Sequence, residues 1–104
     1  VKGKMRYSIN IDKTSLNIGE RASITLIVEE KDSVPIAKIW LPANIVAIEG
    51  GANIQLIHTP VKYGRVNIIV IGVRKGRSKL RSLVYDMYNS EKIGITLPID
   101  ISVN

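Results

Sequence analysis

The residues with the clearest chemical potential form a run of cations without acids between Lys62 and Arg81. This run holds seven Lys and Arg residues, while the whole chain of 104 residues has a formal net charge of +6. The remainder of the chain is therefore close to neutral. Five of the cations fall together and are the candidate contacts for an anion or a nucleic acid: Arg74, Lys75, Arg77, Lys79 and Arg81.

Gly76, within this basic cluster, predicts the tip of a β-hairpin. Such a hairpin could neutralise phosphates, with Tyr85 or Tyr88 offering a ring for base stacking. The alternative is a solvated loop whose charges keep a sheet edge from pairing with other chains. We favour this second interpretation, because two tyrosines do not make a stacking platform and no RNA-binding sequence motif accompanies them.

His58 is the only histidine, and the chain has no cysteine. A general base needs a nucleophile or an acid at a recognisable spacing, and no Gly-x-Ser-x-Gly elbow is present. The lack of cysteine excludes disulfides and thiolate chemistry, and one histidine cannot form a multi-histidine zinc site. We therefore expect a non-enzymatic protein without cofactor or metal, in which His58 is a partly buried or surface side chain.

Two further groups have a structural and a functional interpretation. The acids Glu29, Glu30 and Asp32 match no calcium-loop spacing, and a solvated turn is the expectation. Trp40, the only tryptophan, is expected to pack in the core, although an exposed Trp40 would indicate an interface. A small carbohydrate or ligand site is a third possibility that rests on Trp40 and the tyrosines alone.

Apolar and polar residues alternate with a period of two, which predicts an all-β chain. We expect strands at 7–12, 22–29, 35–41, 45–49, 53–59, 66–73, 79–88 and 97–103. Gly50-Gly51 predicts a hairpin between the fourth and fifth of these, and the apolar run Val66–Val73 predicts a strand covered on both faces. The fold class expected is an immunoglobulin-like β-sandwich of about seven strands, with residues 1–104 as a single domain.

Two corners support the sandwich. The segment Ser15–Leu26 has a Gly-Glu turn after an apolar plug, a pattern common where the first strand crosses to the second sheet. The segment Thr59–Val66 predicts a corner before a central strand, with Tyr63 as a packed corner tyrosine whose hydroxyl bonds to the backbone. Because the disulfide cysteines of the immunoglobulin family proper are absent, an aliphatic core must hold the fold.

The sequence contains no apolar stretch of the roughly 18 residues that a membrane helix needs, and no signal peptide pattern. The chain starts with Val rather than Met, so we expect a processed product or a piece of a longer protein. The high Ile and Lys content fits an archaeal or thermophilic source, or equally an AT-rich genome.

Several pieces in order resemble one family. They are the Gly-Glu turn, Leu41-Pro42, the corner Tyr63-Gly64-Arg65, the Tyr85-Asp86 segment and the closing strand 99–103. This arrangement is similar to the β-sandwich segment of an uncharacterised family of prokaryotic membrane proteins that carry a von Willebrand A-like domain and are associated with MoxR-type AAA ATPases. That family has Arg-Gly-Arg at the corner and Asp-Pro after the central strands, where this chain has Tyr63-Gly64-Arg65 and Asp86-Met87.

The resemblance implies a spacer or interaction module in a larger membrane-associated protein. Its partner would be a von Willebrand A-like domain or an AAA ATPase assembly, in the cytoplasm or at the cytoplasmic face of the membrane. The von Willebrand A metal motif is absent, so no metal site is implied. The function expected is a structural or protein-interaction module, and the alternative is nucleic-acid or anionic-surface binding through the basic cluster.

Overall fold

The computed structural model describes residues 4–48 and 55–104, which form strands and turns with no α-helix. The ten strands within these ranges are β1 (Tyr7–Ile11), β2 (Ser15–Leu16), β3 (Arg21–Val28), β4 (Pro35–Trp40), β5 (Ile45–Ala47), β6 (Leu56–Pro60), β7 (Arg65–Gly72), β8 (Gly76–Asp86), β9 (Ile93–Ile95) and β10 (Ile99–Val103). One 3₁₀ turn, Lys62–Gly64, precedes β7. No helix in these ranges is long and apolar enough to cross a membrane.

The strands form two sheets. The four-stranded sheet has the order β1-β3-β7-β5, and the six-stranded sheet has the order β2-β10-β8-β4-β6 with β9 also paired to β8. Neighbouring strands are antiparallel except β2 and β10, which run parallel. The eleven-residue β8 therefore organises the larger sheet, since β4 lies along one edge and β10 and β9 follow each other along the other.

The core lies between the two sheets and is almost entirely aliphatic. In β3 every second residue from Ala22 to Val28 is buried, as the period-two pattern predicts. The largest fully buried side chains come from both sheets: Leu16, Ile24, Leu26, Ile39, Ile45, Val70, Leu80, Val84 and Ile101. Branched side chains suit this pleated surface, and their burial stabilises the sandwich without a disulfide.

The first corner is confirmed. The chain leaves the four-stranded sheet after β1 and enters the six-stranded sheet at β2, where Leu16 is the buried plug. The turn back to β3 needs a left-handed residue, which Gly19 supplies at φ 88°. Glu20 closes this turn, because its carboxylate accepts the Asn17 N–H at 3.0 Å and an ion pair from Lys13 at 2.9 Å.

The second corner is also present, but the prediction for Tyr63 is wrong. The Lys62–Gly64 turn joins β6 of one sheet to β7 of the other, and both Tyr63 and Gly64 have positive φ. The left-handed backbone points the Tyr63 ring into solvent, where the side chain is fully exposed. Gly64 is required here, since a Cβ would lie 2.9 Å from the Val28 carbonyl oxygen.

Two predictions of hairpins and one of strand burial are wrong as well. The predicted hairpin around Gly50-Gly51, whose turn lies outside the described residues, does not form from β5 and β6. These two strands belong to different sheets, because β5 pairs with β7 and β6 pairs with β4. Gly76 is not a hairpin tip, because β7 and β8 also lie in different sheets. The strand β7 is buried on one face only, since Ile68, Val70 and Gly72 are buried while the residues between them are half-buried and Arg65 and Asn67 are exposed.

Candidate binding cleft in the six-stranded sheet

A bulge interrupts the edge of β8 where β9 gives way to β10. Leu83 pairs with Ile95 and Leu80 pairs with Ile99. The chain from Ile95 to Ile99 is therefore one residue longer than the stretch of β8 from Leu80 to Leu83 that it lies beside. The extra residue lies in the segment 96–98, which has no partner on β8. Pro98 suits this position because it has no N–H to donate to a ladder. Bulges of this kind bend a strand and re-aim its side chains.

The bulge opens a cleft of about 500 Å³ on the outer face of the sheet. Its lining is mainly apolar: Trp40, Arg81, Ser82, Leu83, Ile95, Thr96 and Pro98. Trp40 lies beside Arg81 in the register between β4 and β8 and is 38% exposed. Trp40 is therefore a surface residue rather than a core residue, contrary to the expectation from its sequence environment.

Leu97 extends this apolar surface. The sequence pattern places it on the inner face of the last strand, but β10 begins at Ile99 and Leu97 is 87% exposed. Ile95 is 71% exposed on the neighbouring strand, and Leu56, which pairs with Trp40, is also exposed. Large apolar side chains that are exposed together are uncommon on a monomer and mark interaction surfaces.

A tyrosine from the opposite sheet supports the floor of the cleft. The Tyr7 hydroxyl, on β1, forms hydrogen bonds with the hydroxyls of Ser82 at 2.8 Å and Thr96 at 3.2 Å. Ser82 is buried, so its hydroxyl needs this partner. Tyr7 thus connects the bulge segment and β8 to the other sheet through hydrogen bonds between side-chain hydroxyls.

The basic cluster does not form a hairpin tip, and one of its members, Arg81, lines the cleft. Arg74 and Lys75 lie in the exposed connection from β7 to β8. Arg77, Lys79 and Arg81 project from the outer face of β8, because alternate residues of a strand share a face. All five side chains belong to exposed residues.

These cations differ in their partners. Lys79 forms an ion pair with Asp100 at 2.6 Å, and Lys79 holds the pKa of the Asp100 carboxyl below its usual value. No ion pair within residues 4–48 and 55–104 involves Arg74, Lys75, Arg77 or Arg81. Four of the five candidate contacts are therefore unneutralised in this part of the chain.

His58 lies further along the same face in a small polar cluster. Its Nε2 is hydrogen-bonded to the Tyr85 hydroxyl at 2.8 Å, and the Lys38 ammonium lies 5.8 Å from the centre of the Tyr85 ring. His58 is exposed, as its interpretation as a surface residue requires. Among residues 4–48 and 55–104, the hydrogen-bond partner of His58 is a tyrosine and not a carboxylate that would orient a histidine base.

The acidic residues at 29–32 stabilise a turn and its neighbours. Glu30 accepts the Arg6 N–H at 3.1 Å and lies 3.9 Å from the Lys92 ammonium. Asp32 has a φ of 60°, the left-handed conformation that Asp tolerates in turns. Within the part of the chain that the structure describes, no three His, Asp or Glu residues are placed to hold a metal.

Comparisons with known proteins identify the architecture. No family model and no curated protein matches the chain. A solved structure with a similar fold is the PKD domain of an M14-like peptidase from a Thermoplasmatales archaeon, with a TM-score of 0.56 and 15% identity. The match covers 93% of this chain and 91% of that one. The fold is an immunoglobulin-like β-sandwich. The fold class predicted from the sequence is thus confirmed, and the archaeal or thermophilic source stays a prediction.

Sequence reasoning missed most residues that build the cleft of this immunoglobulin-like sandwich. Tyr7, Ser82 and Thr96 carry no motif, and they meet only because β1 packs against the opposite sheet. One signal was available: Pro98 lies inside the predicted strand 97–103, where it has no N–H to donate to a neighbouring strand. A proline there indicates a bulge or an edge, which would have moved Leu97 out of the predicted core.

Proposed function

We propose that this protein is a non-catalytic interaction module that binds a protein partner through the outer face of its six-stranded sheet. The observation that carries the proposal is the apolar cleft lined by Trp40 and Ile95, with the exposed Leu97 next in the chain to the lining residues Thr96 and Pro98. A half-exposed tryptophan beside a pocket is the kind of residue that dominates binding energy at interfaces. The likeness to a PKD domain supports a module of this type, and within the described residues His58 is hydrogen-bonded to Tyr85 rather than to the carboxylate that orients a catalytic base.

Site-specific photo-crosslinking tests this function. A photoreactive phenylalanine derivative replaces Leu97 in one variant and Tyr63 in the other, in cells that make the protein natively. Both residues are almost fully exposed, but Leu97 lies in the chain between the cleft residues Thr96 and Pro98, whereas Tyr63 lies in the corner before β7. We expect a discrete cross-linked protein from position 97 and none from position 63. Absence of a product at 97, or the same products at both positions, would contradict the proposal.

We also propose that the domain belongs to a larger membrane-associated protein, with a von Willebrand A-like domain or an AAA ATPase assembly as its partner. The support is the order of motifs, since Leu41-Pro42 follows the end of β4 and Tyr63-Gly64-Arg65 occupies the corner before β7. The sequence flanking this chain in its gene is the test. Membrane helices before it and a von Willebrand A pattern after it are expected, and a lone short reading frame would exclude this context.

A second candidate function is binding of nucleic acid or another anionic surface. It rests on the four cations that lack an acidic partner among the described residues, Arg74, Lys75, Arg77 and Arg81. A gel-shift titration at low salt is the measurement. This function requires a complex that weakens steeply as salt rises and that is lost in the Arg74→Ala, Arg77→Ala double variant. Absence of binding at low salt, or binding that the double variant keeps, would exclude it.

A further inference from the structure

We propose that the partner segment bound by the cleft is acidic, with an apolar side chain that inserts beside Trp40 and carboxylates that pair with Arg77 and Arg81. The inference rests on the proposed interaction function and specifies the chemistry of the partner. It follows from the shape of the cleft, from the charges around it and from the number of aromatic rings that it offers.

The cleft accepts an apolar anchor. Its volume of about 500 Å³ lies within the range of roughly 300–1,000 Å³ typical of ligand pockets. Trp40, Leu83 and Ile95 line it, and the exposed Leu97 lies in the chain between the lining residues Thr96 and Pro98. The hydroxyls at its floor are already engaged with Tyr7, so the lining favours a hydrocarbon or aromatic side chain over a polar one.

The charge around the cleft is positive. Four cationic side chains project from the strands on this face, Lys38, Arg77, Lys79 and Arg81. Asp100 is the one carboxylate that the described strands place on the same face, and it is paired with Lys79. Arg77 and Arg81 therefore remain available to a carboxylate, and the planar guanidinium binds carboxylates in a bidentate geometry.

This charge pattern disfavours two other occupants. A second copy of the chain, docked through the same face by a two-fold axis, would bring the basic side chains against each other, and like charges oppose such a contact. A single-stranded nucleic acid binds through successive bases stacked on aromatic rings, whereas Trp40 is the one aromatic side chain in the cleft lining. An acidic protein segment satisfies both the apolar and the cationic features.

Designed peptides test the inference directly. Three fluorescein-labelled peptides share a central pair of Leu and Phe, and differ in whether Asp and Glu, Ser, or Lys flank this pair. Fluorescence polarisation measures their binding to the intact protein. We expect the acidic peptide to bind at least about ten times more tightly than the serine peptide, and the lysine peptide not to bind. The affinity of the acidic peptide should fall as salt is raised, because salt screens exposed charges.

Matched variants localise the interaction. Arg81→Ala removes a cation beside Trp40, while Arg65→Ala removes an exposed cation from β7 of the other sheet. We expect about a tenfold loss of affinity in Arg81→Ala and no change in Arg65→Ala. Leu97→Ser removes an apolar side chain that is 87% exposed, so that folding is not at stake, and we expect a similar loss.

Each opposite result overturns the inference. Equal binding of the acidic and serine peptides removes the role of charge, and equal losses in Arg81→Ala and Arg65→Ala show a general effect of net charge. Displacement of the acidic peptide by a single-stranded oligonucleotide, in a manner dependent on Arg81, assigns the surface to nucleic acid. A cross-link from position 97 without preference for acidic peptides refutes this inference alone, whereas the absence of that cross-link refutes the interaction function itself.

Discussion

At the scale of single residues, Tyr7 stabilises the sandwich through hydrogen bonds to two residues that line the cleft. Its hydroxyl is shared between buried Ser82 and Thr96 of the bulge. We predict that Tyr7→Phe lowers the free energy of unfolding by about 1–2 kcal/mol, because the Ser82 hydroxyl loses its partner. Urea denaturation measures this change. Tyr63→Phe is the control, since the Tyr63 ring is fully exposed, and a comparable loss there would contradict the assignment.

The ionisation of Glu20, in the turn between β2 and β3, should make the stability of the fold depend on pH. The hydrogen bond from the Asn17 N–H, and then that from Lys13, hold the pKa of the Glu20 carboxyl below its usual value. A carboxyl whose pKa is lower in the folded state stabilises that state at pH values above its unfolded pKa. This contribution is lost as the pH falls through the folded pKa.

Glu20→Gln should therefore be less stable than the wild type near pH 7 and should approach it near pH 3. Thermal unfolding across this range checks the prediction. Glu91→Gln is the control, because the Glu91 carboxylate makes no hydrogen bond with the described residues. A Glu20→Gln deficit that is the same at both pH values would show that the charge of Glu20 is not responsible.

At the scale of elements, β9 depends on a glycine. Met5 donates its N–H to Ile93 at 3.1 Å, so the chain before β1 packs directly over β9. A Cβ at Gly94 would overlap the Met5 carbonyl oxygen, which is backbone and cannot rotate away. We predict that Gly94→Ala lowers the free energy of unfolding by about 1–3 kcal/mol, as overpacking does.

The effect of Gly94→Ala should also appear as faster amide exchange in Met5 and in β9. Ile95→Ala is the control on the same strand, since its side chain is 71% exposed and should leave exchange near the wild-type rate. Unchanged exchange at Met5 in Gly94→Ala would show that the contact does not hold this segment.

Strands and corners could be predicted from the sequence because their signals are local. The alternation in β1 and β3, and the proline after the end of β4, are read from neighbouring residues. Strand pairing could not be predicted, since β5 and β6 are close in sequence but bind to different sheets. The choice between partners depends on long-range burial, and the same is true of the bulge that places Leu97 outside the core.

At the scale of the whole molecule, the net charge of +6 has a defined location. The cations of the basic cluster lie on or beside one outer face of the sandwich, next to its exposed apolar residues. Sequence reasoning located this cluster correctly along the chain but placed it at a hairpin tip. Three of these charges, Arg77, Lys79 and Arg81, lie instead on the strand face that holds the cleft, and Arg81 lines it. An acidic partner with an apolar anchor is therefore a more specific proposal than a basic loop alone would support.

One hydrophobic cluster connects both sheets, and this predicts a single unfolding transition. The cluster includes Ile24 and Val70 from one sheet and Ile39 and Leu80 from the other. The parallel pairing of β2 with β10 also joins segments from opposite ends of the chain. A sheet of this sandwich cannot unfold alone without exposing the buried face of the other, which costs about 25 cal/mol for each Å² of apolar surface.

Trp40 makes this cooperativity measurable, because it is the only tryptophan and lies on the outer face of the larger sheet. We predict that tryptophan fluorescence and far-ultraviolet circular dichroism report the same urea midpoint, as two-state unfolding requires. Tyr7→Phe should shift both midpoints together, since its hydroxyl bonds join the two sheets. If the fluorescence midpoint moved alone, the cleft would open separately from the core, and the sandwich would then consist of two units of unequal stability.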